Sequence, residues 1–453
     1  MVAKQRRLFG TDGIRGPANV EPMTPDMAMR LGMAVAAYFG RHGRVVIGKD
    51  TRLSGYMFEN AIAAGACAVG ADVLLVGPLP TPGIAYITRS MRADAGIVIS
   101  ASHNPFADNG IKLFAADGFK LPDEVEVELE ARMEPGALSR KIAVGGDIGR
   151  AKRIDDAGGR YLTHVKNVFP HDLKLDGLRV VLDCAHGAAY KVAPTVLREL
   201  GAEVITLGVE PNGTNINHER GAVHPEEMCA QVRAYRADVG IALDGDADRV
   251  VFADDHGELV DGDAILAICA RALHEEGALR GDAVVATVMS NLGLTRCLAS
   301  RGIELLRTPV GDRYVVEAMR ARGLCLGGEQ SGHLVLLDHA TTGDGVVAAL
   351  KLLAVIQRSE RSLRELASFM TRYPQLSRSL RVDRKVPLRE LPRLTATVAE
   401  VEGLLGDDGR VVIRYSGTES KLRLMLEGPD SDRLTDYAER ITEVARAELA
   451  ATA

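Results

Sequence analysis

The sequence predicts an α/β protein: three repeated α/β units with mixed, largely parallel sheets, followed by a smaller C-terminal α+β unit. Three observations carry this. Short apolar runs alternate with helical patterns up to about Tyr373. Two distant stretches, residues 93–104 (ADAGIVISASHN) and 237–248 (ADVGIALDGDAD), echo each other, each running from Ala-Asp-x-Gly through an apolar strand into a polar loop. Beyond Tyr373 the alternation stops. Strands separated by helical segments make layered α/β structure around a largely parallel sheet.

The first strand of each unit is an apolar run at 44–47, 178–182 and 283–288, which gives way to a polar or Gly-containing turn and then a helical pattern. The second is 70–78 (GADVLLVGP), 201–211 (GAEVITLGVEP) and 302–309 (GIELLRTP), each entered through a Gly that can end the preceding helix. The third lies inside each echo, and in the last unit at 324–328, which closes into Glu329-Gln330-Ser331-Gly332-His333. Short Gly-Ala-x-Val runs recur in any α/β protein. The repeat rests on the ordered match of three strands plus a loop. Ligands gather beyond the carboxyl ends of such strands, so the three loops are the candidate site.

In the tail, 411–415 and 422–426 read as strands around Ser416-Gly417-Thr418-Glu419-Ser420. A final helix follows, with Leu434, Tyr437, Ala438, Ile441, Val444 and Ala445 at i, i+3, i+4 spacing and Asp432 near its start. Tyr373-Pro374-Gln375 reads as a hinge, because Pro restricts itself and the residue before it. The expected domains are 1–155, 156–255, 256–372 and 373–453.

Composition bounds the function. A chain of 453 residues allows three or four domains at roughly 100–200 residues each. Hydrophobic residues at 46% and charged residues at 26% suit a water-soluble globular protein. A net charge of −6 gives no general attraction to nucleic acid or anionic membrane, so any phosphate recognition is local. Six cysteines, at 67, 184, 229, 269, 297 and 325, form no close pair, which fits a reducing cytoplasm and argues against zinc or redox motifs. The N-terminal MVAKQRRLFGTDGIRG has no apolar run behind its basic residues, and no stretch approaches the ~20 residues of a membrane span.

Asp244, Asp246 and Asp248 alternate with Gly245 and Ala247 beyond a strand, so a curled loop can turn three carboxylates onto one cation. Oxygen-only ligands suit Mg²⁺. An EF-hand fails here: Arg249 stands where the tight-turn Gly belongs and Asp255 where the terminal Glu belongs. The bland alternative is a solvated acidic turn. Ser102, beside His103 and ten residues before Lys112, could simply stabilise the Asn104-Pro105 turn. No Gly-x-Ser-x-Gly elbow supports acyl transfer, and no P-loop occurs. A serine near Mg²⁺ fits phosphoryl transfer better. Losing it is expected to remove only a surface hydroxyl. Arg414, Ser416, Gly417 and Thr418, with Arg423 on the partner strand, can clasp a phosphate dianion; a plain hairpin turn with exposed arginines is an equal reading of that loop alone. Glu329 and Ser331 suit sugar hydroxyls. His333 is a candidate proton shuttle on the strength of its repeat position.

Together these segments resemble the α-D-phosphohexomutase superfamily over essentially the whole chain. The resemblance is carried by Gly10-Thr11-Asp12-Gly13-Ile14-Arg15-Gly16, residues 96–112 (GIVISASHNPFADNGIK), DGDADR at 244–249, GEQSGH at 328–333 and RYSGTE at 414–419. It implies four domains around a central cleft, phosphorylated Ser102, one Mg²⁺ per active site held by Ser102 (through its phosphate), Asp244, Asp246 and Asp248, and a small sugar-phosphate substrate. It further implies that Arg15, Lys112, Arg249 and His333 surround the transferring group. Glu329 and Ser331 would hold the sugar; Arg414, Ser416, Gly417, Thr418 and Arg423 would hold its distal phosphate. Gln330 resembles the glucosamine branch, where mutases acting on glucose or mannose phosphates often carry Met. Ala247 stands where Gly is common, and His186 where Asn is common; neither touches an implied ligand atom. The implied reaction interconverts hexosamine 6- and 1-phosphates through a hexosamine 1,6-bisphosphate and feeds UDP-N-acetylglucosamine synthesis. The implied partners exclude nucleic acid and membrane, with a homodimer as a candidate assembly. A related phosphohexomutase acting on glucose or mannose phosphates is the nearer rival; a sugar-phosphate binding protein without turnover is the farther one, opposed by the intact serine and acids.

Overall fold

The computed structural model describes residues 7–10, 12–40, 42–138, 141–416 and 420–451. Its strands form four sheets in chain order. The first holds β1 (Ile14–Pro17), β2 (Arg44–Lys49), β3 (Asp72–Pro78), β4 (Ala95–Ile99), β5 (Asp108–Ala115) and β6 (Ala151–Arg153), in the order β1-β5-β4-β2-β3-β6. The second holds β7 (Arg179–Asp183), β8 (Glu203–Leu207), β9 (Val239–Leu243), β10 (Val250–Ala253) and β11 (Leu259–Val260), ordered β11-β10-β9-β7-β8. The third holds β12 (Ala283–Thr287), β13 (Glu304–Thr308), β14 (Leu326–Gly328) and β15 (Leu334–Leu336), ordered β13-β12-β14-β15. The last is antiparallel: β16 (Gln375–Arg381), β17 (Arg410–Tyr415) and β18 (Lys421–Glu427), ordered β16-β18-β17.

One strand plan recurs in the first three sheets. A central strand (β2, β7, β12) pairs parallel with the next strand in the chain and with the one after it. A fourth strand (β5, β10, β15) then turns back antiparallel on the third. The three candidate loops all lie in that last turn, between β4 and β5, β9 and β10, and β14 and β15. β4 (AGIVI) and β9 (VGIAL) are buried along their whole length, which is why each reads as a nearly unbroken apolar run. Gly70, Gly201 and Gly302 have φ of 95°, 103° and 75°, the left-handed conformation that ends a helix and releases the chain into β3, β8 and β13.

One apolar cluster runs through all three units: Val46 and Ile84 from the first, Val180 and Leu243 from the second, Leu266 and Leu353 from the third. Fully burying each such side chain contributes about 1.5–3 kcal/mol, so their continuity holds the units together as one body. The tail has a separate core, with Leu380, Leu394, Leu424 and Ile441.

The tail also contains two elements absent from the sequence reading, β16 and the helix Pro392–Leu405. β16 (QLSRSLR) is an edge strand with arginine at its middle, so its period-2 signal is weak. It starts at Gln375, so the stretch read as a hinge leads directly into a sheet. Among the described residues, no helix is long and apolar enough to cross a membrane.

Candidate active site

Ser102 follows β4 with φ 52°, and only 1% of its surface is exposed. This corrects the expectation of a surface hydroxyl: the second unit closes over the serine turn. Ser102 Oγ donates to Asp244 Oδ2 at 2.5 Å across that junction, and Ser102 N donates to Ser100 Oγ at 2.9 Å.

Asp244, Asp246 and Asp248 are buried, and each offers an oxygen within 4.8 Å of the others. Asp246 Oδ2 accepts from Thr81 Oγ1 at 2.6 Å and Lys112 Nζ at 2.9 Å. Asp246 Oδ1 and Asp248 Oδ1 are buried with no hydrogen-bond partner among the described residues. Burial first, then the charges of Asp248 and Asp246, push the Asp244 carboxyl well above the usual carboxylate range. Converging buried carboxylates with unused oxygens fit a hard divalent cation, which would offset both costs. The loop's turn uses Ala247 at φ 57°. Gly245 packs so closely that a Cβ there would lie 2.6 Å from the Ser102 carbonyl oxygen. Gly245 is thus where the acid loop abuts the serine loop.

Cations surround the acids. Lys112 on β5 places Nζ 2.9 Å from Asp246 and 3.3 Å from both Asp248 and Asp12. Burial would lower the Lys112 pKa, but Asp12, Asp246 and Asp248 outweigh it and hold the ammonium charged. Arg15 on β1 pairs with the Asp12 carboxylate, and its Nε donates to the Asp12 carbonyl at 3.2 Å. Arg249 donates from Nη1 to His103 Nδ1 at 2.8 Å and from its amide to Asp244 Oδ1 at 3.2 Å. Burial, then Arg249 and Arg15, push the His103 pKa down to about 4, so its neutral ring serves as an acceptor. His333 is buried, with the Gly343 amide nitrogen 3.1 Å and Asp312 Oδ2 3.5 Å from its Nε2 and Asp248 Oδ1 3.8 Å from its Nδ1. Burial would lower its pKa, but Asp248 and then Asp312 outweigh that and raise it.

The third loop and the tail face each other. Glu329 Oε1 accepts the Gly311 amide at 3.1 Å, while Ser331 is exposed. Arg414 and Arg423 stand directly opposite on β17 and β18, lining a cavity of about 100 Å³ with Met289 and Arg378. Burial and then the Arg423 charge lower the Arg414 pKa, and the Glu329 carboxylate partly offsets them. Arg414 Nε is buried without a hydrogen-bond partner among the described residues. A pair of opposed guanidiniums is costly unless an anion lies between or beside them. The Ser416 carbonyl accepts from Lys385 Nζ at 2.7 Å. Gly417 and Thr418 lie outside the described residues.

Five side chains here carried no role in the sequence reading. Asp12 stands in the quoted Gly-Thr-Asp-Gly motif, and Lys120 bonds it and Asp312 at 2.5 Å each, linking the first unit to the third. Thr81 joins the acid loop to the first unit twice, by hydroxyl to Asp246 Oδ2 and by amide to the Asp246 carbonyl at 3.0 Å. Arg52 and Asn217 bind the serine turn. Arg52 follows β2 in Asp50-Thr51-Arg52, a strand-end position like those of the three loops; Asn217 left no comparable signal.

Comparison with known proteins places this arrangement. The four domains described as phosphoglucomutase/phosphomannomutase match in order: alpha/beta/alpha domain I at 6–140, domain II at 159–257, domain III at 261–373 and the C-terminal domain at 379–444. A phosphoglucosamine mutase of Syntrophotalea carbinolica is 56% identical over 97% of each chain. One of Anaeromyxobacter sp. is 57% identical over 98% of this chain and 96% of its own. Among solved structures, a phosphoglucomutase/phosphomannomutase family protein of Burkholderia thailandensis superposes with a TM-score of 0.81 at 25% identity, covering 97% of each chain. An N-acetylphosphoglucosamine mutase of Aspergillus fumigatus, solved with GlcNAc-6P and magnesium, has the same fold with a TM-score of 0.66 at 16% identity, over 98% of this chain and 96% of its own.

Proposed function

Because the chain belongs to the phosphoglucomutase/phosphomannomutase family, we propose that it is a phosphoglucosamine mutase, interconverting glucosamine 6-phosphate and glucosamine 1-phosphate. The contact that carries the reading is Ser102 Oγ against Asp244 Oδ2 at 2.5 Å, a buried hydroxyl set on a cluster of three acids. The relatives' shared name and Gln330 favour the amino sugar.

Phospho-Ser102 gives its phosphoryl group to O1 of the sugar. The Oγ–P bond breaks, the O1–P bond forms, and the O1 proton leaves to a buried base, for which His333 is the candidate. The resulting 1,6-bisphosphate turns around, and its 6-phosphoryl returns to Ser102 by the reverse exchange. Lys112, Arg15 and Arg249 offset the negative charge that moves between the two oxygens. Asp244, Asp246 and Asp248, with the serine phosphate, would hold one Mg²⁺, which supplies charge neutralisation at the phosphoryl oxygens when bound. Glu329 and Ser331 hold the sugar hydroxyls. Arg414, Ser416, Gly417, Thr418 and Arg423 hold the phosphate that is not reacting. The division at 1–155, 156–255, 256–372 and 373–453 then assigns one role to each unit: phosphoserine, metal, sugar and distal phosphate. A cytoplasmic setting fits the cysteines, none of which is bonded to another. A homodimer is the assembly to look for by light scattering.

Side-by-side kinetics on glucosamine, glucose and mannose phosphates test the substrate. The expected result is the highest kcat/KM on the glucosamine phosphates. Equal or better turnover of a glucose or mannose phosphate would assign the chain to a sister activity.

A further inference from the structure

We propose that Arg52 and Asn217 are positioning residues forming one clamp on the Ser102 turn, with Asn217 tying that turn to the acid-bearing unit. The proposal rests on the reading of Ser102 as the group that carries the phosphoryl.

Two backbone carbonyls define the clamp. The Ser102 carbonyl accepts from Arg52 Nη2 at 2.9 Å and from Asn217 Nδ2 at 2.8 Å. The Asn104 carbonyl accepts from the same two nitrogens, at 2.8 Å and 3.0 Å. Arg52 has no exposed surface. Its Nη1 donates to the carbonyls of Pro105 and, at 3.0 Å, Asp108; its Nε donates to Asp50 Oδ2 at 2.8 Å. Asp50 Oδ2 also accepts from Ser100 Oγ at 2.6 Å, and Ser100 Oγ accepts the Ser102 amide at 2.9 Å. The fixed fork of a guanidinium thus spans the turn from its start to its return into β5.

Asn217 comes from the other side. It lies in the second unit, before the helix Glu226–Tyr235, and its own amide donates to the Ala185 carbonyl at 2.9 Å. Only 6% of it is exposed. A Cβ on Gly245 would lie 2.8 Å from Asn217 Nδ2, so the carboxamide is wedged between the serine turn and the acid loop. Two carbonyl oxygens on one side require the NH₂ group there, which fixes the orientation of the amide. Its Oδ1 is buried with no partner among the described residues.

The clamp has something to hold. Ser102 sits at φ 52°, a conformation uncommon for a residue with a β-carbon, kept only where the surroundings over-determine it. Released, the turn relaxes and the hydroxyl leaves its 2.5 Å contact with Asp244. A displacement of about 1 Å at a reacting group can cost on the order of a hundredfold in rate. Asn217 contributes no atom to the reaction. It sets where the serine stands relative to the acids.

Asn217→Asp tests this with nearly unchanged shape, since a carboxylate has no donor for the two carbonyls. Asn217→Ala removes the contact without introducing charge. For both, kcat is expected to fall about ten- to a hundredfold while KM for the hexose phosphate stays within about threefold. Amide hydrogen exchange over residues 100–108 is expected to quicken, with the rest of the protein protected as in the parent. Arg52→Lys should lose more of both; if it fails to fold, the two Asn217 variants still decide. Parental kcat in Asn217→Asp, unchanged exchange over 100–108, or a raised KM at constant kcat would each overturn the clamp. Exchange needs no substrate. Quickened exchange in Asn217→Ala, alongside a parent that turns over no hexose phosphate, would therefore uphold the clamp and remove the mutase reading.

Discussion

The three-unit body and the tail are held in place by different means. Within the body, one apolar core crosses every boundary, and buried groups stitch the serine and acid loops together. The tail keeps its core to itself and meets the body through polar contacts with the segment just after β12 and with Arg296 in the helix that follows, which pairs with Asp408. Arg410 donates to the carbonyls of Val288 at 2.9 Å and Ser290 at 2.5 Å, Gln375 Nε2 to that of Met289 at 3.0 Å, and Asn291 Nδ2 to that of Tyr373 at 2.9 Å. Glu427 Oε1 accepts the Leu292 amide at 3.0 Å. The neutral bonds among these contribute only about 0.5–1.5 kcal/mol each net, and those of Arg410 and Glu427 about 1.5–3, because water replaces them when they open. Polar junctions of this kind favour relative motion of domains. The difference follows the proposed chemistry. Transfer needs a serine and acids fixed to fractions of an ångström, whereas a bisphosphate that must turn around needs a grip that lets go.

The largest effect should come from breaking the body. Ser102→Ala is expected to lower turnover by roughly a thousandfold or more, as loss of a covalent carrier does. Peptide mass spectrometry should find phosphate on Ser102 in the parent. The protein should still fold, at a cost, relative to the unphosphorylated parent, of about 1–3 kcal/mol for leaving the buried Asp244 without its donor, read by thermal melting. An active variant, or phosphate consistently elsewhere, would place the chemistry outside this junction.

Next comes the acid loop. Asp246→Asn replaces a carboxylate with a neutral amide, so the Mg²⁺ concentration for half-activation is expected to rise on the order of tenfold or more. Titrating activity against Mg²⁺ measures it. An unchanged curve would leave the three acids a purely structural cluster.

The tail gives the most informative effect. Arg414→Ala is expected to raise KM and lower kcat together, for a loss of about ten- to a hundredfold in kcat/KM, the equivalent of one charge-assisted contact. X-ray scattering of the parent should show a more compact form with a sugar bisphosphate than without. Parental kinetics in Arg414→Ala, with no compaction, would put the tail on the same footing as the body and erase the contrast.

Much of this was legible in the sequence, for identifiable reasons. The three repeated sheets and the Ser102, acid and Glu329–His333 loops follow from apolar strands that end in polar turns, because burial writes itself into adjacent residues. The burial of Ser102 did not, since it depends on a second unit folding over the turn. Asn217 left no trace because its partners are the carbonyls of residues 102 and 104, and a backbone carbonyl is the same in every residue. β16 was missed because an edge strand half-exposed to water needs little apolar patterning. The outward-facing Arg414 and Arg423 were found as charges, but their direct opposition needed the register of β17 on β18.

The turn between the third and fourth strands occupies the same position in each of the first three sheets. A scaffold repeated in tandem offers natural selection three equivalent sites of variation that share no residues. Change in one turn alters what is displayed there without redrawing the strands that display it. On the roles proposed above, a change of substrate falls to the turn at 329–333 and leaves the turns bearing Ser102 and Asp244 untouched. A lineage built on this plan can acquire new sugars without reinventing the transfer itself.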